Sequence, residues 1–214
     1  MQRAHHVAFV TRWKAIPQLR SDTVNAVTMS FTIGMARVAL YTFGILTGPH
    51  GSDVLTGFVA ALPGVFAESE QSPGFVGHAL AARPDLLGKP RLGEAHGRWG
   101  TYVAPRYATG NATAPLRPFV ATLSLWHDAE SARRFTYNGL HRSALMRRAE
   151  WFIKGPWPGY VLWWVENEET PTWEEGVRRL EWLSDHGPTP AGFDFRHAYD
   201  ADGAAEPRLR SAAG

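Results

Sequence analysis

Cysteine is absent from the 214-residue sequence, and there is little net charge. The lack of cysteine excludes disulfides, thiolate metal sites, iron–sulfur clusters and a cysteine nucleophile. The 22 basic and 20 acidic residues leave a net charge of +2, which argues against a protein that neutralises a nucleic-acid backbone. No stretch approaches the roughly 18 consecutive apolar residues that span a bilayer, and no convincing signal peptide is found. We therefore expect a cytoplasmic protein whose partners include neither nucleic acid nor a membrane.

Motifs that identify a reaction are also missing. The sequence has no glycine-rich dinucleotide or phosphate loop, no His-Glu-x-x-His zinc motif and no Gly-x-Ser-x-Gly nucleophile elbow. The pair His5-His6 has no third candidate metal ligand near it. These absences predict a protein that needs no metal and no nucleotide cofactor.

The apolar and aromatic content is sufficient for one domain. Hydrophobic residues make up 44% of the chain, enough for one substantial core. We predict that residues 1–34 are an N-terminal extension, disordered or a mis-assigned start, that residues 36–195 form the domain, and that residues 199–214 are a disordered tail. Residues 83–117 are rich in proline and glycine, which predicts a long loop, and the aromatic residues within it favour a partly ordered lid.

The segment from Phe119 to Val165 organises the predicted fold. Residues 119–126 alternate with a period of two, which is typical of a strand. Asp128 can cap a helix that continues to Phe152. Residues 160–165 are apolar at every position, so they predict a strand that is covered on both faces.

Two more strands and a helix precede this segment. Residues 38–46 are rich in β-branched and aromatic types and predict the first strand. A helix follows, with Ser52 or Asp53 as its cap and Pro63 as a kink or break. Residues 75–80 predict a second, shorter strand.

A last helix follows the segment. Residues 172–186 begin with a Thr172-x-x-Glu175 capping box and bury an apolar stripe. The complete order is strand, helix, strand, long loop, strand, helix, strand, helix. This order predicts an α+β fold of the ferredoxin-like βαββαβ type with an extra C-terminal helix.

The predicted strands carry apolar residues on both faces. In the first strand, Tyr41 and Phe43 lie opposite Val38 and Leu40. Helices of a ferredoxin-like fold cover only one face of the sheet. Because an open apolar face is an association surface, we predict a homodimer in which two sheets meet face to face.

Several short motifs resemble those of a known family. They are Ala39-Leu-Tyr-Thr-Phe-Gly44, Ser72-Pro-Gly-Phe75, Ser124-Leu-Trp126, His141-Arg with Glu150-Trp-Phe152, and Leu162-Trp-Trp-Val165. Over residues 36–195 the chain resembles a bacterial family of unknown function. That family is placed in the dimeric α+β-barrel superfamily, which also contains the antibiotic-biosynthesis monooxygenases. The resemblance implies a dimeric α+β barrel. That superfamily includes cofactor-free monooxygenases, polyketide cyclases, lactone isomerases and haem enzymes, so the resemblance selects no single reaction.

His141 is the leading catalytic candidate. On one continuous helix it would share a stripe with Tyr137 and Arg148 among apolar neighbours. A histidine there can act as a general base near neutral pH or as an axial haem ligand, while the structural alternative is a buried histidine bonded to a carbonyl or to Glu150. We predict Tyr137 and Thr122 as its hydrogen-bonding partners in catalysis, although the resembling family often has asparagine at the position of Thr122.

Eight further residues are candidates for a substrate pocket. Aromatic side chains on the strands can hold a flat ring by stacking, although core packing is the alternative for each of them. Arg148 would anchor a carboxylate or phenolate, and His78 would contribute if its strand turns it toward the pocket. The predicted set is Tyr41, Phe43, His78, Trp126, Arg148, Tyr160, Trp163 and Trp164.

These residues support three hypotheses about function. The first is an enzyme that acts on an apolar, aromatic or polyketide-like small molecule by cofactor-independent oxygenation or acid/base cyclisation, with His141 as the acid/base group. The second is a haem-binding enzyme with His141 as the axial ligand. The third is a dimer that binds or carries a small ligand without turnover.

Overall fold

The computed structural model describes residues 36–80, 91–109 and 116–207. These residues all belong to one compact unit, Gly34–Gly214. The predicted extension at residues 1–34 lies outside the described residues, as do parts of the predicted loop and the end of the predicted tail. No helix in the described part of the chain is both long and apolar enough to cross a membrane.

Four strands form one antiparallel sheet in the described residues, which confirms the α+β class. They are β1 (Arg37–Ile45), β2 (Phe75–His78), β3 (Phe119–Trp126) and β4 (Tyr160–Val165), in the order β2-β3-β1-β4. Tyr41 of β1 lies opposite Leu123 of β3 and Val161 of β4. The predicted bounds of β3 and β4 are confirmed. β1 lies one residue earlier than predicted, and β2 ends two residues earlier.

Five α-helices accompany the sheet in the described ranges. They are α1 (Thr56–Gln71), α2 (Ala129–Tyr137), α3 (Gly139–Met146), α4 (Arg148–Trp151) and α5 (Trp173–His186). The predicted caps of α2 and α5 are confirmed, because Asp128 accepts the Ser131 N–H at 2.6 Å and Thr172 accepts the Glu175 N–H at 3.2 Å.

The start and middle of α1 differ from the prediction. A short 3₁₀ helix, Asp53–Leu55, precedes α1, and the Ser52 side chain makes no capping hydrogen bond. Leu55 is the residue at the N-cap of α1. Pro63 lies inside α1 without ending it.

The predicted continuous helix from Asp128 to Phe152 is wrong, because the chain breaks it into α2, α3 and α4. Asn138 is extended (φ −127°, ψ 176°), and Gly139 has φ +52°, in the left-handed region that favours glycine. The Asn138 side chain donates to the Arg134 carbonyl at 2.7 Å and so ends α2. The carboxylate of Glu68 on α1 accepts backbone N–H groups at the start of α3. Tyr137 and His141 therefore belong to different helices.

One face of the sheet, here called the α5 face, is covered by α5 and residues 91–109. Its core contains Tyr41, Phe43 and Trp163, and Tyr102 from the predicted loop packs against them in the same buried cluster. The loop is tied to α5, since Glu174 accepts the Thr101 N–H at 2.8 Å. The α5 helix approaches β1 at Gly176, where a Cβ would lie 2.6 Å from the Tyr41 ring.

This cover removes the basis of the predicted dimer geometry. The prediction required one apolar sheet face to stay open for the sheet of a second chain. On the α5 face the aromatic side chains of Tyr41 and Trp163 are fully buried within the chain. The expectation of an open face is therefore wrong, and its physical reason is that α5 and the loop take the place reserved for a partner.

The opposite face, here called the α2 face, packs against α1, α2 and the C-terminal segment. Val38, Leu40 and Trp126 are buried there with Ala132 of α2 and Phe193. Residues 199–207, which fall in the predicted tail, form a bridge between Tyr199 and Ala205. The indole N–H of Trp164 donates to the Tyr199 carbonyl at 2.6 Å.

Candidate functional site

A small cavity lies on the α2 face between the sheet and the helices. Its volume is about 70 Å³, and we call it the inner cavity. Helix α1, strands β2 and β3 and helices α2 and α3 contribute its lining. Four of the predicted site residues meet there: His78, Thr122, Trp126 and His141.

His141 is held by a hydrogen bond that decides its chemistry. Its Nδ1 lies 2.9 Å from the Thr136 carbonyl oxygen. Because a carbonyl only accepts, Nδ1 carries the proton in the neutral ring, and Nε2 keeps its lone pair. Burial lowers the pKa of His141, against the opposing effects of the Thr136 carbonyl and Glu68. The neutral imidazole is therefore the form favoured near pH 7, and no hydrogen bond to Nε2 is found in the described residues.

His78 is a second histidine in the inner cavity. The residue is only 7% exposed, and its Nε2 lies 3.1 Å from a carboxylate oxygen of Glu70. Its Nδ1 is buried and has no hydrogen-bond partner among the described residues. The rings of Phe66 and Phe75 lie 5.0 and 5.7 Å from the His78 ring. The imidazole is thus fixed by Glu70 on one side and by aromatic rings around it.

Hydroxyl groups line the floor of the cavity on β3. The Thr122 and Thr42 hydroxyl oxygens lie 2.6 Å apart, so one donates to the other. Ser124 accepts the indole N–H of Trp126 at 2.9 Å. Since the Thr122–Thr42 pair uses one of its two protons internally, the other proton is available for a further acceptor.

Phe135 forms the outer wall of the cavity. Its ring stacks on Trp126 at a centroid distance of 5.1 Å and lies 4.8 Å from the His141 ring. The same side chain lines a second space of about 170 Å³, which we call the outer groove, together with Glu68, Ser72, Ser131, Arg134 and Asn138. Phe135 therefore separates the inner cavity from a groove at the surface.

Three of the predicted pocket residues lie on the other side of the sheet. Tyr41, Phe43 and Trp163 belong to the α5 face and are buried in its core. The Tyr41 hydroxyl and the Trp163 indole nitrogen have no hydrogen-bond partner in the described residues, and burial raises the pKa of Tyr41. The structure does not bring these three side chains to the inner cavity.

Four more predicted residues lie outside the cavity. Tyr160 and Trp164 are on β4, where Phe195 and Tyr199 cover them. Tyr137 is 43% exposed and packs on Phe195 at 5.6 Å. Arg148 is exposed and donates to the Leu145 carbonyl at 3.1 Å. The break at Asn138 separates Tyr137 from His141, and the end of α3 at Met146 places Arg148 on a different helix.

Several cavity residues were missed by the sequence analysis. Ser124 was noted only as part of a family motif, and Phe135 has no distinguishing feature in the sequence. Glu70, which bonds to His78 but does not line the cavity, has no signal either, because this contact depends on the turn between α1 and β2. In the described residues, no group of three or more His, Cys, Asp or Glu side chains is arranged to hold a metal ion.

Comparison with known proteins gives one family. The sequence model of a family described as "Domain of unknown function (DUF3291)" matches residues 37–209. The chain belongs to the DUF3291 family. The match confirms the predicted membership of a family of unknown function, and it includes every residue named for the inner cavity.

Other comparisons of this DUF3291 protein add little. No curated protein matches the chain. Among solved structures it is similar to the NE2512 protein of unknown function from Nitrosomonas europaea, with 7% identity and a TM-score of 0.34. That alignment covers 64% of this chain and 94% of the other. The likeness is too weak to support a shared fold or activity.

Proposed function

We propose that this DUF3291 protein is an enzyme that acts on an apolar, aromatic or polyketide-like small molecule, with His141 as its general base. One observation carries the proposal: the Nδ1 proton of His141 is held by the Thr136 carbonyl, so that the unprotonated Nε2 is the nitrogen left for a ligand. A base in this form can accept a proton at neutral pH.

The surrounding groups suit the product of that proton transfer. Removing a proton from a phenol or from a carbon next to a carbonyl leaves negative charge on an oxygen. The free proton of the Thr122–Thr42 hydroxyl pair can donate to such an oxygen. Trp126 and Phe135 offer ring faces for a flat substrate. Cofactor-independent oxygenation and acid/base cyclisation both begin with this step.

The size of the site implies that Phe135 moves when a substrate binds. The inner cavity of about 70 Å³ is small beside the roughly 300–1,000 Å³ that is usual for ligand pockets. Rotation of the Phe135 ring would join it to the outer groove of about 170 Å³. The reacting part of the substrate would then lie against His141, and its remainder would lie in the groove.

The haem hypothesis fits this site poorly. A porphyrin bound through His141 Nε2 would need a wide flat space, and the volume beside this ring is about 70 Å³. The lining residues around it are buried or half-buried and packed on one another. We therefore assign no step of the reaction to haem.

We also propose that the fold is of the ferredoxin-like βαββαβ type with an extra C-terminal helix. The order of elements and the strand order β2-β3-β1-β4 support this assignment. The dimeric α+β-barrel superfamily has less support, because a barrel needs the α5 face to meet the sheet of a partner. A homodimer and a cytoplasmic location stay predictions, and sedimentation equilibrium measures the first.

The test uses 1-naphthol as a phenolic probe and compares the wild type with His141→Gln. We expect both proteins to bind the probe with similar Kd, while oxygen uptake or product formation falls by about 100-fold or more in the variant. His127→Gln, which changes an exposed histidine, is the matched control and should behave as the wild type. Binding without turnover in every protein would favour the carrier hypothesis.

A second measurement needs no substrate. Nitrogen NMR of the imidazoles should show neutral His141 with its proton on Nδ1. A proton on Nε2 would contradict the proposed role, because the nitrogen that faces the ligand would then have no lone pair to accept a proton.

A further inference from the structure

We propose that His78, held by Glu70, is a second proton-transfer group in the inner cavity, and that the substrate is a small enolisable carbonyl compound whose proton moves from one atom to another. This inference rests on the proposed role of His141 and names the substrate class and the second catalytic group. From the sequence, His78 is predicted only to contact a substrate.

His78 has one ring nitrogen without a partner. The residue is 7% exposed, and its Nδ1 has no hydrogen-bond partner in the described residues. Buried polar atoms in native proteins are almost always hydrogen-bonded, so an unpaired one calls for an explanation, and a catalytic role is one such explanation. Among the described side chains with an unpaired buried polar atom, His78 is the one that lines the inner cavity.

The two imidazoles of the inner cavity are held in the same way. The Glu70 carboxylate, 3.1 Å from His78 Nε2, only accepts hydrogen bonds and therefore fixes a proton on that nitrogen. The Thr136 carbonyl does the same for His141 Nδ1. Each ring thus has one nitrogen held by an acceptor, and the other nitrogen is left to gain or lose a proton. Both rings line the same cavity.

Glu70 reaches from the buried ring to the surface. Its side chain is 53% exposed, whereas the His78 side chain is 6% exposed. The pair therefore connects the buried imidazole with water and places a carboxylate beside it.

These groups give a balanced reaction without an oxidant. His141 Nε2 takes a proton from the carbon next to a carbonyl, and the electron pair of that C–H bond forms the carbon–carbon double bond of an enol. Protonated His78 gives its Nδ1 proton to the carbonyl oxygen in the same step. The enol proton then returns to His78, and protonated His141 gives a proton to carbon. If this is the original carbon, the net change is exchange of its hydrogen. If the enol is conjugated with a second carbon–carbon double bond, the proton goes to the far carbon of that dienol and the net change is an isomerisation. Both histidines return to their starting forms.

The test follows proton exchange at carbon in D₂O by NMR, with acetylacetone and cyclohexane-1,3-dione as probes. We expect the wild type to accelerate exchange, and we expect Glu70→Gln and His78→Gln to lower the rate by about 100-fold. Glu70→Gln is the safer variant, because its side chain is half exposed and the change preserves shape. His127→Gln again serves as the control.

The outcomes separate this inference from the function on which it rests. Loss of exchange in His141→Gln with full exchange in Glu70→Gln and His78→Gln would overturn the role of His78 and leave that of His141 in place. No exchange of either probe by the wild type would overturn the substrate class, while 1-naphthol turnover would still support His141 as a base. Nitrogen NMR adds a direct check, since neutral His78 with its proton on Nδ1 would also refute the inference.

Discussion

Replacing Gly139 by alanine tests the chain break that positions His141. Gly139 has φ +52°, where a side chain costs about 1–2 kcal/mol. A Cβ at this position would also collide with the Glu68 carboxylate. Glu68 accepts the Leu140 N–H at 3.0 Å and the His141 N–H at 3.1 Å, and the loss of such a cap costs about 0.5–2 kcal/mol. We therefore expect the free energy of unfolding to fall by about 1.5–4 kcal/mol.

A matched glycine isolates the contribution of Glu68. Gly97, the first residue of the short 3₁₀ helix Gly97–Trp99, also has a positive φ, +59°, but a Cβ there would meet no atom within 4 Å. Gly97→Ala should therefore lose only the backbone contribution. In a Glu68→Ala background, Gly139→Ala should lose no more than Gly97→Ala does, because the cap is already gone.

Urea unfolding of these variants measures the free energies. Nitrogen NMR of His141 in Gly139→Ala measures whether its contact with the Thr136 carbonyl survives. Equal losses for Gly139→Ala and Gly97→Ala, with additive effects of Glu68→Ala and Gly139→Ala in the double variant, would show that Glu68 does not hold the start of α3. An unchanged His141 resonance would show that the break does not position the base.

Other contacts in the structure give four more testable expectations. Burial lowers the pKa of His141, so the unfolded chain binds more protons than the folded chain once the pH is below about 6.5. The free energy of unfolding should therefore decrease as the pH is lowered through this range, and it should decrease less in His141→Gln than in the wild type. Thr172→Ala should lower the free energy of unfolding by about 1 kcal/mol, measured in urea. Phe135→Ala should open the inner cavity and increase the affinity for indole, measured by calorimetry. Titration with haemin should give no saturable Soret band, and a band abolished in His141→Gln would contradict this.

The parts of the fold that were predictable depend on local signals. The period of two in residues 119–126 and the continuous apolar run in residues 160–165 predict both strands, and the caps Asp128 and Thr172 predict the starts of two helices. The break at Gly139 was not predictable from local pattern, because an isolated glycine in a helical pattern is usually tolerated. The break is stabilised by the carboxylate of Glu68 on α1, which is distant in sequence.

The candidate site was predictable only in part for the same reason. His141, Thr122 and Trp126 were predicted and do line one cavity. The side of the sheet taken by His78 could not be fixed by alternation, since the pairing of β2 with β3 shifts between Phe75 and Gly77. Side chains such as Tyr41 carried the right chemistry but belong to the opposite face, and composition alone does not distinguish the two faces.

The chemistry of the two sheet faces explains why the candidate site belongs on the α2 face. On the α5 face, α5 and residues 91–109 pack against β1, β3 and β4, and the described core there consists of aliphatic and aromatic side chains. On the α2 face, two histidines with one constrained nitrogen each lie beside a hydroxyl pair and the ring of Phe135. Because proton transfer needs groups that change protonation state next to space for a ligand, only this second arrangement suits it among the described residues. The described lining of the inner cavity comes from a single chain, so the proposed activity is expected in a monomer as well.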